Sequence, residues 1–258
     1  MSRITTDFRG IIMFRRDYRE RDLLVKILTD KIGPAMFFVK GAKKRGFRMA
    51  ADILPFTHGE YIGSLTDNGL SFINTASDTS QYRSIATDIS KNAYATYILA
   101  LVDSAFQDDG QGIGGWFNQV AAALALINNG LDEQVIANVI ETQLLVRFGV
   151  APTWDRCVIC GRDDLPLDFS EQYGGMLCRN HWHLDERRLH LDQRTVYYLQ
   201  RFSTLNLQKL NSIKINPVTK RRLQFVMDSL YDNEVGLNLK SKQFIRQMGQ
   251  WEEKLKKS

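Results

Sequence analysis

The hydrophobic period changes once along this chain, and that single change limits its folds more than any composition figure does. Up to about residue 80 the apolar residues come in short runs, GIIMF, DLLVKIL and AMFFVK, rich in branched and aromatic side chains and bounded by charge, Gly or Pro. Runs of this kind read as strands. Asp30-Lys31-Ile32-Gly33-Pro34 makes a tight connection between the second and third. Asn68-Gly69, between EYIGSLT and LSFINTA, predicts a hairpin with a type I′ turn, because both residues tolerate positive φ. Five strands in about 75 residues is the size of a small closed barrel.

From about residue 81 the recurrence is helical. Ile85, Ile89, Tyr97, Leu101 and Ala105 form one such series, and Phe117, Val120, Ala121, Leu124 and Ile127 a second that Asn129-Gly130 ends. Asp132 caps a third helix with the apolar face Val135, Ile136, Val139, Ile140 and Leu144, stopped by Gly149 and Pro152. Asp192 and Asn216-Pro217 start two more, the latter with proline in the first helical position. A last segment places Phe244, Met248, Trp251 and Leu255 on one face.

All three cysteines fall between these helices. Cys157 and Cys160, then Cys178 and His181, give C-x2-C-x17-C-x2-H, the paired-knuckle spacing of a Cys3His zinc site. A two-residue gap lets both side chains reach one metal while the amides of the turn face the thiolates. Gly161 supplies an easy left-handed residue there, and Gly174-Gly175 lets the chain reverse before the second knuckle. His183 competes with His181 for the fourth position, and His190 is a more distant candidate. Thiolates favour zinc over magnesium or calcium, although iron occupies similar sites. The expected architecture is therefore α+β: a five-stranded OB-fold barrel over residues 1–80, then an all-α helical domain over 81–258 with a zinc-binding module at 152–191 inserted.

The net charge of +5 is unevenly spread. Residues 1–48 hold thirteen Lys/Arg against five Asp/Glu, residues 192–258 hold thirteen against six, and acids predominate between. Basic ends around an acidic middle point to polyanion contacts. Two clusters stand out, RRDYRERD (15–22) and VKGAKKRGFR (39–48). On a barrel they fall in loops or at strand ends, where Arg15, Arg16, Arg19, Arg21, Lys40, Lys43, Lys44, Arg45 and Arg48 can follow a phosphate backbone. Tyr18 and Phe47 lie within the clusters and can stack on unpaired bases. The C-terminal cations, among them Lys220, Arg221, Arg222, Lys240, Lys242, Arg246, Lys254, Lys256 and Lys257, either extend this surface or coat amphipathic helices. No signal peptide or membrane span is discernible, so an intracellular, cytoplasmic protein is expected.

Three segments resemble the RecO family of bacterial DNA repair proteins: GIIMFRRDYRERDLLVKILTDKIG, VKGAKKRGFRMAADILPFTHGEY with its K-G-A-x-K pattern, and P-x-W-x-x-CVICG followed by F-x-x-x-x-GG-x-LC. The resemblance implies an N-terminal OB-fold, a helical domain and, in many members, a zinc module. It also implies binding of single- and double-stranded DNA, annealing of complementary strands, partnership with RecR, and remodelling of single-strand binding protein so that RecA loads, in the cytoplasm at the nucleoid. The commoner family pattern has four cysteines; here His181 stands in the last position. Members without zinc imply that the metal serves structure.

The chain has no Walker A loop, H-E-x-x-H or nucleophile elbow; the one histidine ahead of Cys157, His58, sits in HGE, but Arg156 stands where the P-C-x-x-C of a zinc deaminase has its proline. A non-enzymatic DNA mediator is the expectation. A zinc-dependent nucleic-acid hydrolase or deaminase and a purely protein-binding adaptor are the alternatives.

Overall fold

Fifteen residues, Ile4–Tyr18, form β1, a strand long enough to serve two partners. Its first half runs antiparallel to β4 (Thr57–Leu65) and its second half antiparallel to β2 (Asp22–Thr29), with a bulge between Ile12 and Phe14 where it turns. β3 (Gly33–Val39) continues from β2, pairs in parallel with the start of β5 (Ser71–Gln81), and β5 returns along β4. The order β1-β2-β3-β5-β4 closes on itself, giving the expected OB-fold barrel. The computed structural model describes residues 4–66, 69–107, 110 and 112–255. Asn68, Lys256 and Lys257 lie outside the described residues, as do the side chains of Lys254 and Leu255.

Alternation sets the barrel's inside. Phe8, Ile12, Val25, Ile27, Phe37 and Tyr61 fill it, Phe8 stacking on Phe37 and Tyr61 at centroid distances of 5.4 and 5.7 Å. Ile53, in the connection between β3 and β4, adds to this core, and Asp52 O there accepts a 2.8 Å bond from the Tyr61 hydroxyl. Of the expected Asn68-Gly69 turn only Gly69, at a φ of 110°, lies among the described residues. Gly63 sits at a bulge where a Cβ would lie 2.1 Å from the Phe72 carbonyl oxygen. Gly63→Ala is expected to cost about 3 kcal/mol as the strands part, read from urea unfolding.

Six described helices of eight or more residues carry the rest, preceded by the single turn α1 (Arg83–Thr87). α2 (Ile89–Ala105) begins at Asp88, whose side chain accepts from Lys91 N. That cap separates Ile85 from Ile89, which the periodicity placed on one face: Ile85 is fully buried and Ile89 is 70% exposed. α3 (Ile113–Asn128) ends at Asn129 with Gly130 at φ 93°. α4 (Glu133–Leu144) starts on Asp132, and a 3-10 turn after it closes at Gly149, φ 78°. Asp192 and Asn216 cap α5 (Gln193–Thr204) and α6 (Pro217–Leu230) as expected. α7 (Lys240–Leu255) buries Lys242, Ile245 and Met248; Trp251, expected on the buried face, is exposed.

One apolar core runs through both halves. Ile11, Met13, Leu28 and Phe56 of the barrel join Ile98, Val120 and their neighbours on the helices. Lys26 pairs with Asp103 at 2.8 Å, and the Arg9 guanidinium lies 4.9 Å above the Phe117 ring. Phe56 is a buried aromatic held at φ 63°, its N–H donating to Ile12 O and its carbonyl accepting from Tyr82 N. Among the described residues no helix is long and apolar enough to cross a membrane.

Candidate metal centre and nucleic-acid interface

The cysteine segment folds as a three-stranded sheet in the order β6-β8-β7, formed by β6 (Thr153–Cys157), β7 (Leu167–Ser170) and β8 (Gly175–Cys178). β7 and β8 make the hairpin that Gly174, at φ 62°, permits. Trp154 stacks on Phe169 at 5.0 Å beneath the sheet. β6 and β8 each end at a cysteine, so Cys157 and Cys178 meet at one edge.

The first knuckle turns at Gly161, φ 72°, whose N–H donates to Cys157 O at 2.8 Å. His181 comes from the 3-10 segment Arg179–Leu184 directly after β8. Trp182 Nε1 donating to Leu177 O fixes that segment on the strand. The donor atoms of Cys157, Cys160, Cys178 and His181 all lie within 4.8 Å of one another. His181 Nδ1 is 3.3 Å from Cys178 Sγ and 3.5 Å from Cys157 Sγ, and Cys160 Sγ is 3.8 Å from Cys178 Sγ. A zinc tetrahedron with Zn–S near 2.3 Å has edges of about 3.8 Å, so this donor set fits such an ion as it stands. His183 is exposed and His190 bonds to Glu186 O, so neither joins the cluster.

Local electrostatics suit a bound cation. Burial raises the Cys157 thiol, but the N–H groups of Cys178, Cys160 and Ile159 outweigh it and bring it down to about 6. Cys178 is pushed up by burial and by the neighbouring thiols. Two thiols so close cannot both ionise cheaply without a cation between them.

The two basic clusters meet at one end of the barrel. Arg19 and Arg21 lie in the β1–β2 turn and Lys40, Lys43, Lys44, Arg45 and Arg48 in the β3–β4 connection. Lys43 N donates to Arg21 O at 3.0 Å and Gly41 N to Asp22 Oδ1 at 2.7 Å, joining these loops. All seven cations are exposed. Lys43 is already held by Asp17, Nζ to Oδ2 2.7 Å. Arg15 and Arg16 are strand residues on opposite parities: Arg15 faces Val25 of the interior row, and Arg16 faces Leu24. Phe47, expected to stack on bases, instead packs partly buried against the barrel core.

Sequence reasoning did not single out the edge-on pair Phe38 and Phe72 on the barrel's outside. The signal was the doublet in AMFFVK: Phe37 and Val39 point inward, so Phe38 between them points outward. Four of the C-terminal cations are consumed within the bundle. Lys220 pairs with Asp132, Arg222 with Asp192, Lys242 with Glu141 and Asp228, and Arg246 with Asp228 and Asp232.

Comparison with known proteins agrees over the whole length. Residues 1–82 match the family model described as Recombination protein O N terminal, and residues 86–243 match Recombination protein O C terminal. The DNA repair protein RecO of Limosilactobacillus reuteri (strain DSM 20016) is 79% identical over 257 residues, covering 100% of this chain and 98% of that protein. The DNA repair protein RecO of Limosilactobacillus fermentum is 57% identical, covering 99% of this chain and 93% of its own. That of Levilactobacillus brevis is 53% identical, covering 99% and 98%.

Proposed function

This chain belongs to the RecO family of DNA repair and recombination proteins, and from that premise we propose that it grips single- and double-stranded DNA on the basic end of its barrel. The observation that carries the reading is the convergence of two clusters, separate in sequence at 15–22 and 39–48, through the Lys43–Arg21 backbone bond. Exposed arginines and lysines on two adjoining loops follow a phosphate backbone and carry no code for base sequence. Such a grip suits annealing of complementary strands. With RecR, and acting on DNA coated by single-strand binding protein, it suits loading of RecA in a bacterial cytoplasm.

In this division of labour residues 1–80 meet DNA, the helical domain 81–258 meets protein partners, and the module at 152–191 is held by a structural Zn2+ on Cys157, Cys160, Cys178 and His181. Four protein donors fill a tetrahedron and leave no position for water or substrate, so the cluster does not serve a zinc hydrolase or deaminase, and the action proposed is non-covalent.

Neutralising Lys43, Lys44 and Arg45 together tests the assignment. Affinity for an oligonucleotide should fall, and the slope of log affinity against log salt should flatten by about two. The shift is less than three because Asp17 already holds Lys43. Anisotropy titrations across a salt series measure both, and an unchanged slope removes the barrel end from the interface.

A further inference from the structure

The donors of the metal cluster are unequally sheltered. Cys157 is 1% exposed and Cys178 fully buried, whereas Cys160 is exposed to solvent. The backbone sets this difference. Cys157 ends β6 and is pinned twice, its N–H donating to Arg162 O at 2.8 Å and its carbonyl accepting from Gly161 N at 2.8 Å. Those two bonds close the knuckle on itself and turn its tip outward, leaving every residue from Ile159 to Asp164 exposed. At Gly161, φ 72°, no atom stands within 4 Å of where a Cβ would be, so the space beside Cys160 is open.

The sulfur atoms divide in the same way. Cys157 Sγ lies 3.5 Å from His181 Nδ1, while Cys160 Sγ lies 3.8 Å from Cys178 Sγ. A disulfide holds its sulfurs about 2 Å apart. The knuckle tip therefore has to move by only about 2 Å for Cys160 and Cys178 to join. An odd number of thiols makes such a bridge decisive. With two of the three consumed, Cys157 and His181 remain, one sulfur and one nitrogen where a tetrahedral ion needs four donors.

We propose that Cys160 is an oxidation site for hydrogen peroxide, and that Cys160 and Cys178 form a reversible thiol–disulfide switch on the metal centre. The Cys160 thiolate attacks one peroxide oxygen; the O–O bond breaks, hydroxide leaves, and Cys160 carries a sulfenic acid. The Cys178 thiolate then attacks that sulfur; the S–S bond forms, the S–O bond breaks, and a second hydroxide leaves. Two electrons pass from the thiolates to the peroxide, and two protons from solvent turn both hydroxides into water. Zinc departs with its charge unchanged.

The bridge joins the knuckle tip to the central strand β8, across the span the metal held, so the sheet stays tied after the ion has gone. Oxidation and chelation thus differ in outcome: both empty the site, and only oxidation leaves the module stapled. The switch rests on the metal reading of the cluster and is independent of the nucleic-acid reading.

The test treats the full zinc-loaded chain with hydrogen peroxide and follows it with a chromogenic zinc chelator, thiol titration and non-reducing peptide mapping. One zinc should appear for every two thiols lost, the map should join Cys160 to Cys178, and Cys157 should still react with iodoacetamide. Dithiothreitol with added zinc should restore the full metal content. Protease should cut within 152–191 at least about tenfold more slowly in oxidised protein than in reduced protein stripped of zinc by a chelator. Zinc retained beside three intact thiols, at peroxide concentrations that oxidise a free cysteine peptide, overturns the switch while the metal reading stands. A Cys157–Cys160 bridge, or sulfinic and sulfonic acids at Cys160 with no bridge, overturns the pairing. Equal cleavage of oxidised and stripped protein overturns the staple. A chain that carries no zinc and takes up none overturns both the switch and the metal reading.

Discussion

Serine in place of Cys178 is expected to unfold the sheet at 152–191 and to cost on the order of 5 kcal/mol or more in metal-loaded protein. Cys178 ends the central strand β8, is fully buried, and sits 3.3 Å from His181 Nδ1 and 3.8 Å from Cys160 Sγ. β7 and β8 have four residues each, too few to secure the fold alone. A 2.9 Å Arg188–Asp168 ion pair closes the module on itself, and a hydrogen bond from Ser229 of α6 to Glu171 ties it to the helices. Zinc content by atomic spectroscopy and protease cleavage within 152–191 measure the outcome, and His181→Cys should retain the ion. A Cys178→Ser protein with one full equivalent of zinc and unchanged unfolding contradicts the role given to this cluster.

Lys242→Met should rank next, at about 3–5 kcal/mol. Glu141 is entirely buried and accepts from the Tyr97 hydroxyl at 2.6 Å, Asn138 Nδ2 at 2.7 Å and Lys242 Nζ at 2.7 Å. Lys242 also pairs with Asp228 at 2.9 Å and lies 4.8 Å from the Tyr97 ring. Removing its ammonium strands a carboxylate in a dry interior. Glu141→Gln combined with Lys242→Met should be milder than Lys242→Met alone, because no lone buried charge remains at position 141; urea unfolding of the single and double variants gives the coupling. Burial lowers the Lys242 pKa, but Glu141 and Asp228 outweigh it and hold it above the ordinary lysine value. A raised lysine pKa gives stability that is complete below the unfolded value and fades only as pH climbs through the folded one. The penalty should therefore be constant across neutral pH and shrink in strong alkali.

The barrel and the metal cluster were legible because local chemistry dictates them. Strand alternation defines an inside, two-residue cysteine gaps define a knuckle, and Asp132, Asp192 and Asn216 accept the first free amides of their helices. What escaped depends on long-range packing. Ile89 keeps helical spacing from Ile85, yet the capping side chain of Asp88 restarts the helix between them. Phe47 looks like a loop aromatic until the fold supplies a core for it to cover. The lysines and arginines of the last third read either as more of the basic surface or as the coats of amphipathic helices, and only the tertiary fold brings Glu141, Asp228 and Asp232 to meet Lys242 and Arg246. The contacts of Phe38 with Tyr18 and Phe72 escaped because sequence separates the three rings and the barrel gathers them.

Phe56 deserves its strained backbone for a mechanical reason. Its amide is tied to Ile12 in the barrel wall and its carbonyl to Tyr82 at the threshold of the first helix, while its ring enters the interior they share. A hinge needs a slack segment with solvent on both sides, and this junction has a rivet. Swivelling at this point therefore requires breaking both backbone bonds and drawing the ring out of the shared interior.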